Sequence, residues 1–372
     1  MRRIVLKVGT STLTGGAALG PDRVFINALA AQIAAERARD RQVVLVTSGA
    51  IRAGMGGLRM TEKPRTIPEK QAAASVGQGL LMALYADIFA NYGIPVGQVL
   101  LTRDDLRSRV RYVNARNTLE ALIAAGALPI VNENDTVAID EIKVGDNDTL
   151  AALVTSLIDA DGLILLSDVD GLYDKNPTVF PDARRIKRVE RLDANTRAMA
   201  GGVGSAAGTG GMRTKLAAAQ IATSSGAAMW IANGRQPGVI TSCLDGDGSI
   251  GTYFAPAKSR PSARKRWLAW ASGAPSGTVV VNLCARRALE EEGRSLLPVG
   301  VVGTTGTFAA GDLIGVADEA GQTFARGLAR YDRDDVTRIA GVATPGLAAA
   351  LGRDDVPYDE VVHRDYLALI SD

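Results

Sequence analysis

The sequence predicts an α/β chain: a mostly parallel sheet with helices on both faces, followed by a smaller β-rich domain. Three observations predict it. Short apolar runs recur with helix-patterned stretches between them, a β-α-β rhythm. Around residue 257 that rhythm is replaced by short β-type runs punctuated by glycine. The length, 372 residues at 47% hydrophobic, suits two domains with full cores.

The elements follow in order. Ile4–Val8 reads as a buried strand, and Val24–Arg37 as a helix with Phe25, Leu29 and Ile33 on one face. Val43–Val46, Pro95–Leu101, Leu128–Asn132, Leu163–Ser167 and Met229–Ala232 read as further strands. Glu69–Tyr92, Arg111–Ala125 and Leu150–Ile158 read as helices between them. The first domain is expected over residues 1–256. A basic linker over 257–275 follows, since residues 258–266 hold five positive charges, no negative one and a proline. The β-rich domain is expected over 276–372, with strands at Thr278–Leu283, Leu297–Gly303, Asp312–Ala317 and Thr323–Tyr331 and a short helix at Asp334–Ala340.

Composition excludes several chemistries. One histidine, His363, lies in a charged segment near the C-terminus, so a histidine-based triad is not expected. Three Cys and His residues in all, widely scattered, are too few for a zinc site built from them. Cys243 and Cys284 read as plain buried thiols, which suits a reducing cytoplasm. The stretch after Arg2 and Arg3 is broken at Lys7, too short for a signal peptide. No run of 18 apolar residues appears, so no membrane span is expected and the chain is read as cytoplasmic. A net charge of +2 argues for no particular polyanionic partner.

Ligands of parallel sheets bind beyond the carboxyl ends of the strands, so the loops after the strands carry the chemistry. The first strand holds Lys7 and ends at Gly9. A buried ammonium needs an anionic partner, so Lys7 is either aimed at a phosphate or an edge lysine reaching solvent. Gly9 lets backbone amides approach a ligand. Ser48-Gly49 at the next strand-to-helix turn is either an anion site or a simple helix cap. Residues 131–150 are the densest polar segment. Asn132, Asn134 and Asp135 follow one strand, and Asp146, Asn147 and Asp148 precede an apolar helix. These clusters exceed what capping needs; they bind an amino group and a carboxylate, or orient lysines. Residues 165–177 resemble a calcium loop but lack its third oxygen ligand and closing glutamate. They read as a turn over an adenine or ribose, or as a plain surface turn. Residues 208–216 lead glycines into a helix carrying Lys215, although they are not a Walker A motif.

Two candidate phosphate lysines and no histidine suit phosphoryl transfer, which asks mostly for positioning and charge stabilisation. An acceptor that is already an anion needs no base, and a carboxylate with a reference pKa of about 4.3 is ionised at neutral pH.

The motifs KVGTS, VTSGAI, VNENDTV, IKVGDNDTL, LLSDVDGLY and GTGGMRTK, in this order, resemble the glutamate 5-kinase family of the amino-acid kinase superfamily. The resemblance covers essentially the whole chain, with a C-terminal region similar to a PUA domain, an RNA-associated β-barrel. It implies a three-layer αβα sandwich. It implies transfer of the ATP γ-phosphate to the side-chain carboxylate of L-glutamate, the first step toward proline. By the family pattern, Lys7 and Lys215 neutralise the transferring group and Asp148 holds them. Ser48, Asp135 and Asn147 match the glutamate-binding positions. Lys7, Gly9, Ser167, Asp168 and the run Thr209, Gly210, Gly211, Met212, Arg213, Thr214 and Lys215 match the ATP site. The resemblance further implies Mg²⁺ carried by ATP with no separate metal site, proline as feedback inhibitor, and a homo-oligomer, dimer or tetramer. Two rivals stand beside it: a sister kinase acting on another acidic acceptor, and an RNA-binding protein using the C-terminal domain.

Overall fold

The computed structural model describes residues 1–15, 20–137, 147–199, 209–246, 250–258 and 260–370. The chain divides into two units, Met1–Arg260 and Pro261–Asp372.

The first unit is built on an eight-stranded sheet. Its strands are β1 (Arg3–Val8), β2 (Gln42–Val46), β3 (Val96–Leu101), β4 (Leu128–Glu133), β5 (Gly162–Ser167), β6 (Arg188–Val189), β7 (Ala228–Asn233) and β8 (Thr252–Phe254). The spatial order is β3-β4-β2-β1-β5-β7-β8-β6. The six strands from β3 to β7 run parallel; β8 runs antiparallel to β7. All six strands expected for this domain are present, and the two missed ones, β6 and β8, are too short for a periodicity to register. β1 lies in the middle, with Lys7 opposite Val46 on one side and Leu165 on the other. The edge-strand alternative for Lys7 therefore fails.

The helices of this unit are α1 (Thr10–Thr14), α2 (Arg23–Ala38), α3 (Ala50–Gly57), α4 (Ile67–Ala90), α5 (Arg103–Arg107), α6 (Arg109–Ala124), α7 (Asn147–Leu157), α8 (Ala194–Met199), α9 (Thr209–Ser224) and α10 (Val239–Asp245). Asp22 caps α2 by accepting from the amides of Val24 and Phe25, and Phe25, Leu29 and Ile33 enter the core. A capping box of Thr66 and Glu69 starts α4. By length and composition α4 is apolar enough to cross a membrane, although it contains no unbroken run of 18 apolar residues. In this fold Leu81, Tyr85, Ile88 and Phe89 bury that apolar surface against the sheet core. α3 and α4 meet at Gly54 and Gly77. A Cβ on Gly54 would lie 1.7 Å from the Ala73 carbonyl, and one on Gly77 1.7 Å from the Ala50 carbonyl. Only glycine lets the two backbones come so close.

The second unit carries a five-stranded sheet of β9 (Gly277–Val281), β10 (Val301–Gly306), β11 (Leu313–Ala317), β12 (Thr323–Leu328) and β13 (Leu367–Leu369), in the order β10-β9-β11-β12-β13. Val279, Ile314, Val316, Phe324 and Leu367 bury their side chains in its own core. Its helices are α11 (Ala263–Arg266), α12 (Leu283–Glu290), α13 (Arg333–Ile339) and α14 (Leu347–Leu351). The stretch read as a basic linker is partly folded: α11 continues into a π-helical turn at Trp267–Ala271, and Leu268 and Ala269 pack with Ala368. The apolar residues Trp267–Ala271 follow the charge run directly and supply this packing.

Candidate active site

The strand order turns at β1. Its successor β2 joins on one side, while β5 joins on the other after the chain has passed through β3 and β4. A crevice beyond the carboxyl ends is expected at such a point. There the structure gathers residues from β1, β2, β4, α7 and α9.

Lys7 leaves the end of β1 and Asp148 the first turn of α7, with side chains 6% and 1% exposed. Lys7 Nζ lies 2.6 Å from Asp148 Oδ1. Lys215, from α9, lies 3.0 Å from Asp148 Oδ2. One carboxylate thus bridges two ammonium groups, and the trio carries a net charge of +1. Desolvation penalises every member unless the others stay in place. Lys215 also donates to the Gly211 carbonyl at 3.4 Å. α7 and α9 pack side by side, which brings residues 67 positions apart together. Gly9 follows Lys7 in extended backbone. A Cβ there would meet nothing closer than Lys7 Nζ at 3.6 Å, so the fold itself does not demand glycine. What glycine leaves is open space beside the ammonium group.

Next to this trio lies an amide network. Asn147 Nδ2 donates to the Thr47 carbonyl (2.5 Å), Ser48 Oγ (2.9 Å) and Asn132 Oδ1 (2.9 Å). Asn132 Nδ2 donates to Gln78 Oε1 on α4 at 2.7 Å. Thr47 Oγ1 is 2.9 Å from the buried Tyr85 hydroxyl, whose pKa burial pushes up to about 12, so it stays neutral. Ser48 and Asn147, both singled out in the sequence, therefore touch. Asp135 follows β4 and is half-buried. Burial pushes its pKa up to about 6, and that of Glu133 up to about 7, with the charge of Asp135 adding to the latter and Arg103 opposing it. Asp146 lies outside the described residues.

Toward β5 and β7 the surroundings change. Ser167 ends β5, buried, and its hydroxyl donates to Asp168 at 3.1 Å. Gly9 N–H donates to the Leu166 carbonyl at 3.2 Å, which ties the β1 loop to the same strand end. Asp170 accepts from Asn233 Nδ2 at 2.9 Å. Asp170, Tyr173, Arg185, Asn233, Arg235 and Gln236 line a cavity of about 440 Å³. Thr209, Gly210, Gly211, Met212, Arg213 and Thr214 are helical rather than looped, so Lys215 sits in the second turn of α9. Residues 200–208, the rest of the glycine-rich patch, lie outside the described residues. Among the described residues no group of three or more His, Cys, Asp or Glu could hold a metal ion.

Sequence reading passed over Gln78, Tyr85 and Glu133. Gln78 and Tyr85 lie on a helix that also carries Gln71, Ser75 and Asp87, so nothing local marks which polar residue faces the site.

Residues 2–233 match the amino acid kinase family, and residues 277–344 match the PUA domain. The chain is 51% identical to a glutamate 5-kinase of Moorella thermoacetica, over 100% of this chain and 97% of that one. It is 47% identical to a glutamate 5-kinase of Caldanaerobacter subterraneus subsp. tengcongensis, over 99% and 98%. Among solved structures, a carbamate kinase from Giardia lamblia bound to AMP-PNP superposes with a TM-score of 0.50 at 17% identity. It covers 69% of this chain and 99% of its own, and shares the fold.

Proposed function

The chain belongs to the amino acid kinase family as a relative of glutamate 5-kinases, and from that premise we infer how its residues phosphorylate L-glutamate. The γ-phosphoryl group of ATP passes to the side-chain carboxylate. A carboxylate oxygen forms a bond to phosphorus, the bond from phosphorus to the β–γ bridging oxygen breaks, and ADP leaves with that electron pair. No proton has to move, because the acceptor is already ionised. The observation that carries this reading is the buried Lys7–Asp148–Lys215 trio. Its net positive charge meets the negative charge of the transferring group, and the shared carboxylate keeps the two lysines together before substrate arrives.

Ser48, Asn147 and Asp135 serve as the acceptor end, with Asp135 facing the substrate ammonium. Ser167, Asp168 and the start of α9 serve as the nucleotide end, and the cavity beside Asp170 and Tyr173 has the size and polarity for a nucleoside. Mg²⁺ carried on ATP, as the family pattern implies, would neutralise phosphate charge, while Asp148 holds the two lysines. Proline as feedback inhibitor at or near the glutamate site and assembly as a homo-oligomer, dimer or tetramer, complete the reading on the strength of the family. RNA contact through the PUA-like unit is a secondary proposal, supported by the basic run at 258–266.

The test is ADP release with a panel of acceptors: L-glutamate, L-aspartate, N-acetyl-L-glutamate, carbamate and UMP. Release with L-glutamate alone is expected. Faster release with another acceptor would assign the chain to a sister activity.

A further inference from the structure

The amide network has a direction that its partners impose. Asn132 Oδ1 accepts from the backbone N–H of Glu133 at 2.9 Å. An N–H only donates, so this oxygen cannot exchange places with its nitrogen. Asn132 Nδ2 must therefore face Gln78, and Gln78 must answer with Oε1. On the other side the Thr47 carbonyl, which only accepts, fixes Asn147 independently. Gln78 is thus the far end of the chain of amides, and its Nε2 is the group left over. That nitrogen is buried and has no partner among the described residues. A buried donor left unpaired is costly, so a partner is due.

The backbone under Gln78 is held as firmly as its amide. Gly77 beside it is the point where α4 touches α3, and α3 begins two residues after Ser48. Ser48 Oγ accepts from Asn147, which leaves its own proton free to donate. Two neutral donors, the Ser48 hydroxyl and Gln78 Nε2–H, thus belong to one network.

We propose that Gln78 is a specificity-determining residue of the acceptor site, its Nε2–H donating to the α-carboxylate of the amino-acid substrate. This rests on the glutamate reading above: the γ-carboxylate goes to the lysines, which leaves the α-carboxylate in need of donors. Together with Asp135 for the ammonium group, the site then reads all three charged groups of an acidic α-amino acid.

Steady-state kinetics of Gln78→Leu and Gln78→Glu at about pH 8 decide it, with thermal melting as the check on folding. Leucine removes the donor. The KM for L-glutamate should rise about 10- to 100-fold, the effect of one hydrogen bond to a charged group, while the KM for ATP changes less than about twofold. The Gln78→Glu carboxylate can still accept from Asn132 but sets a negative charge against the α-carboxylate, so the KM for L-glutamate should rise further. A purely structural role predicts the reverse order, because Gln78→Glu preserves both shape and the Asn132 bond. A Gln78→Glu enzyme milder than Gln78→Leu, or a glutamate KM unchanged in both, overturns the proposal. Asn147→Ala and Ser48→Ala are measured alongside. If they too leave the glutamate KM unchanged, the acceptor-site reading itself is at fault rather than the role of Gln78.

Discussion

At Asp148 two ammonium groups lean on one fully buried carboxylate. Asp148→Ala leaves Lys7 buried beside a second positive charge. The variant should lose about 3–5 kcal/mol in chemical denaturation, the usual result of breaking a buried pair. Its turnover should fall more than its affinity for ATP; a change confined to the glutamate KM would show that Asp148 does not organise the lysines. Asp135 supplies a pH test. Its pKa is raised by burial to about 6 from 3.8, and that of Glu133 to about 7 from 4.5. Both bind protons more tightly folded than unfolded. The stability they contribute is fully present below about 3.8 and is lost as pH rises through about 7. Substrate binding runs the other way. An ammonium group wants Asp135 ionised, so the KM for glutamate should fall as pH rises through about 6. Asp135→Asn should abolish that limb, and a limb that persists in the variant would assign it to another group. Lys7 was legible in the sequence because a lysine inside an apolar strand is an anomaly. Its pairing was not, since that depends on where α7 and α9 meet.

The elements divide the same way. Six parallel strands announce themselves as apolar runs, and their common carboxyl ends locate the crevice before any contact is known. The helix crossing beside Ser48 and Gln78 has no such mark: Gly54 and Gly77 sit in helices where glycine usually weakens the structure. Gly77→Ala would drive a methyl group into the Ala50 carbonyl. Denaturant unfolding should show a loss of about 1–3 kcal/mol or more, as overpacking does. The glutamate KM should rise with it, because α3 and Gln78 must both move. A stable variant with unaltered KM would mean the crossing relaxes without reaching the site. Elements as short as β6 and β8 escaped prediction because two or three residues hold too little of a period to count.

Across the whole molecule, every residue assigned to the reaction falls in the first unit. The second unit has its own sheet and core. A chain with one histidine and two cysteines is complete for its chemistry under this account, since charge placement substitutes for proton removal. His363 accordingly serves structure: its ring accepts from the Asp365 amide at 3.1 Å and starts a short helical turn. The account stands most directly on trapping the acyl phosphate. With ATP, L-glutamate and hydroxylamine, the wild-type chain should form γ-glutamyl hydroxamate, and folded Lys7→Ala and Lys215→Ala should form it about 10²–10³-fold more slowly. No hydroxamate from well-folded wild type, or near-normal rates from either variant, would contradict it.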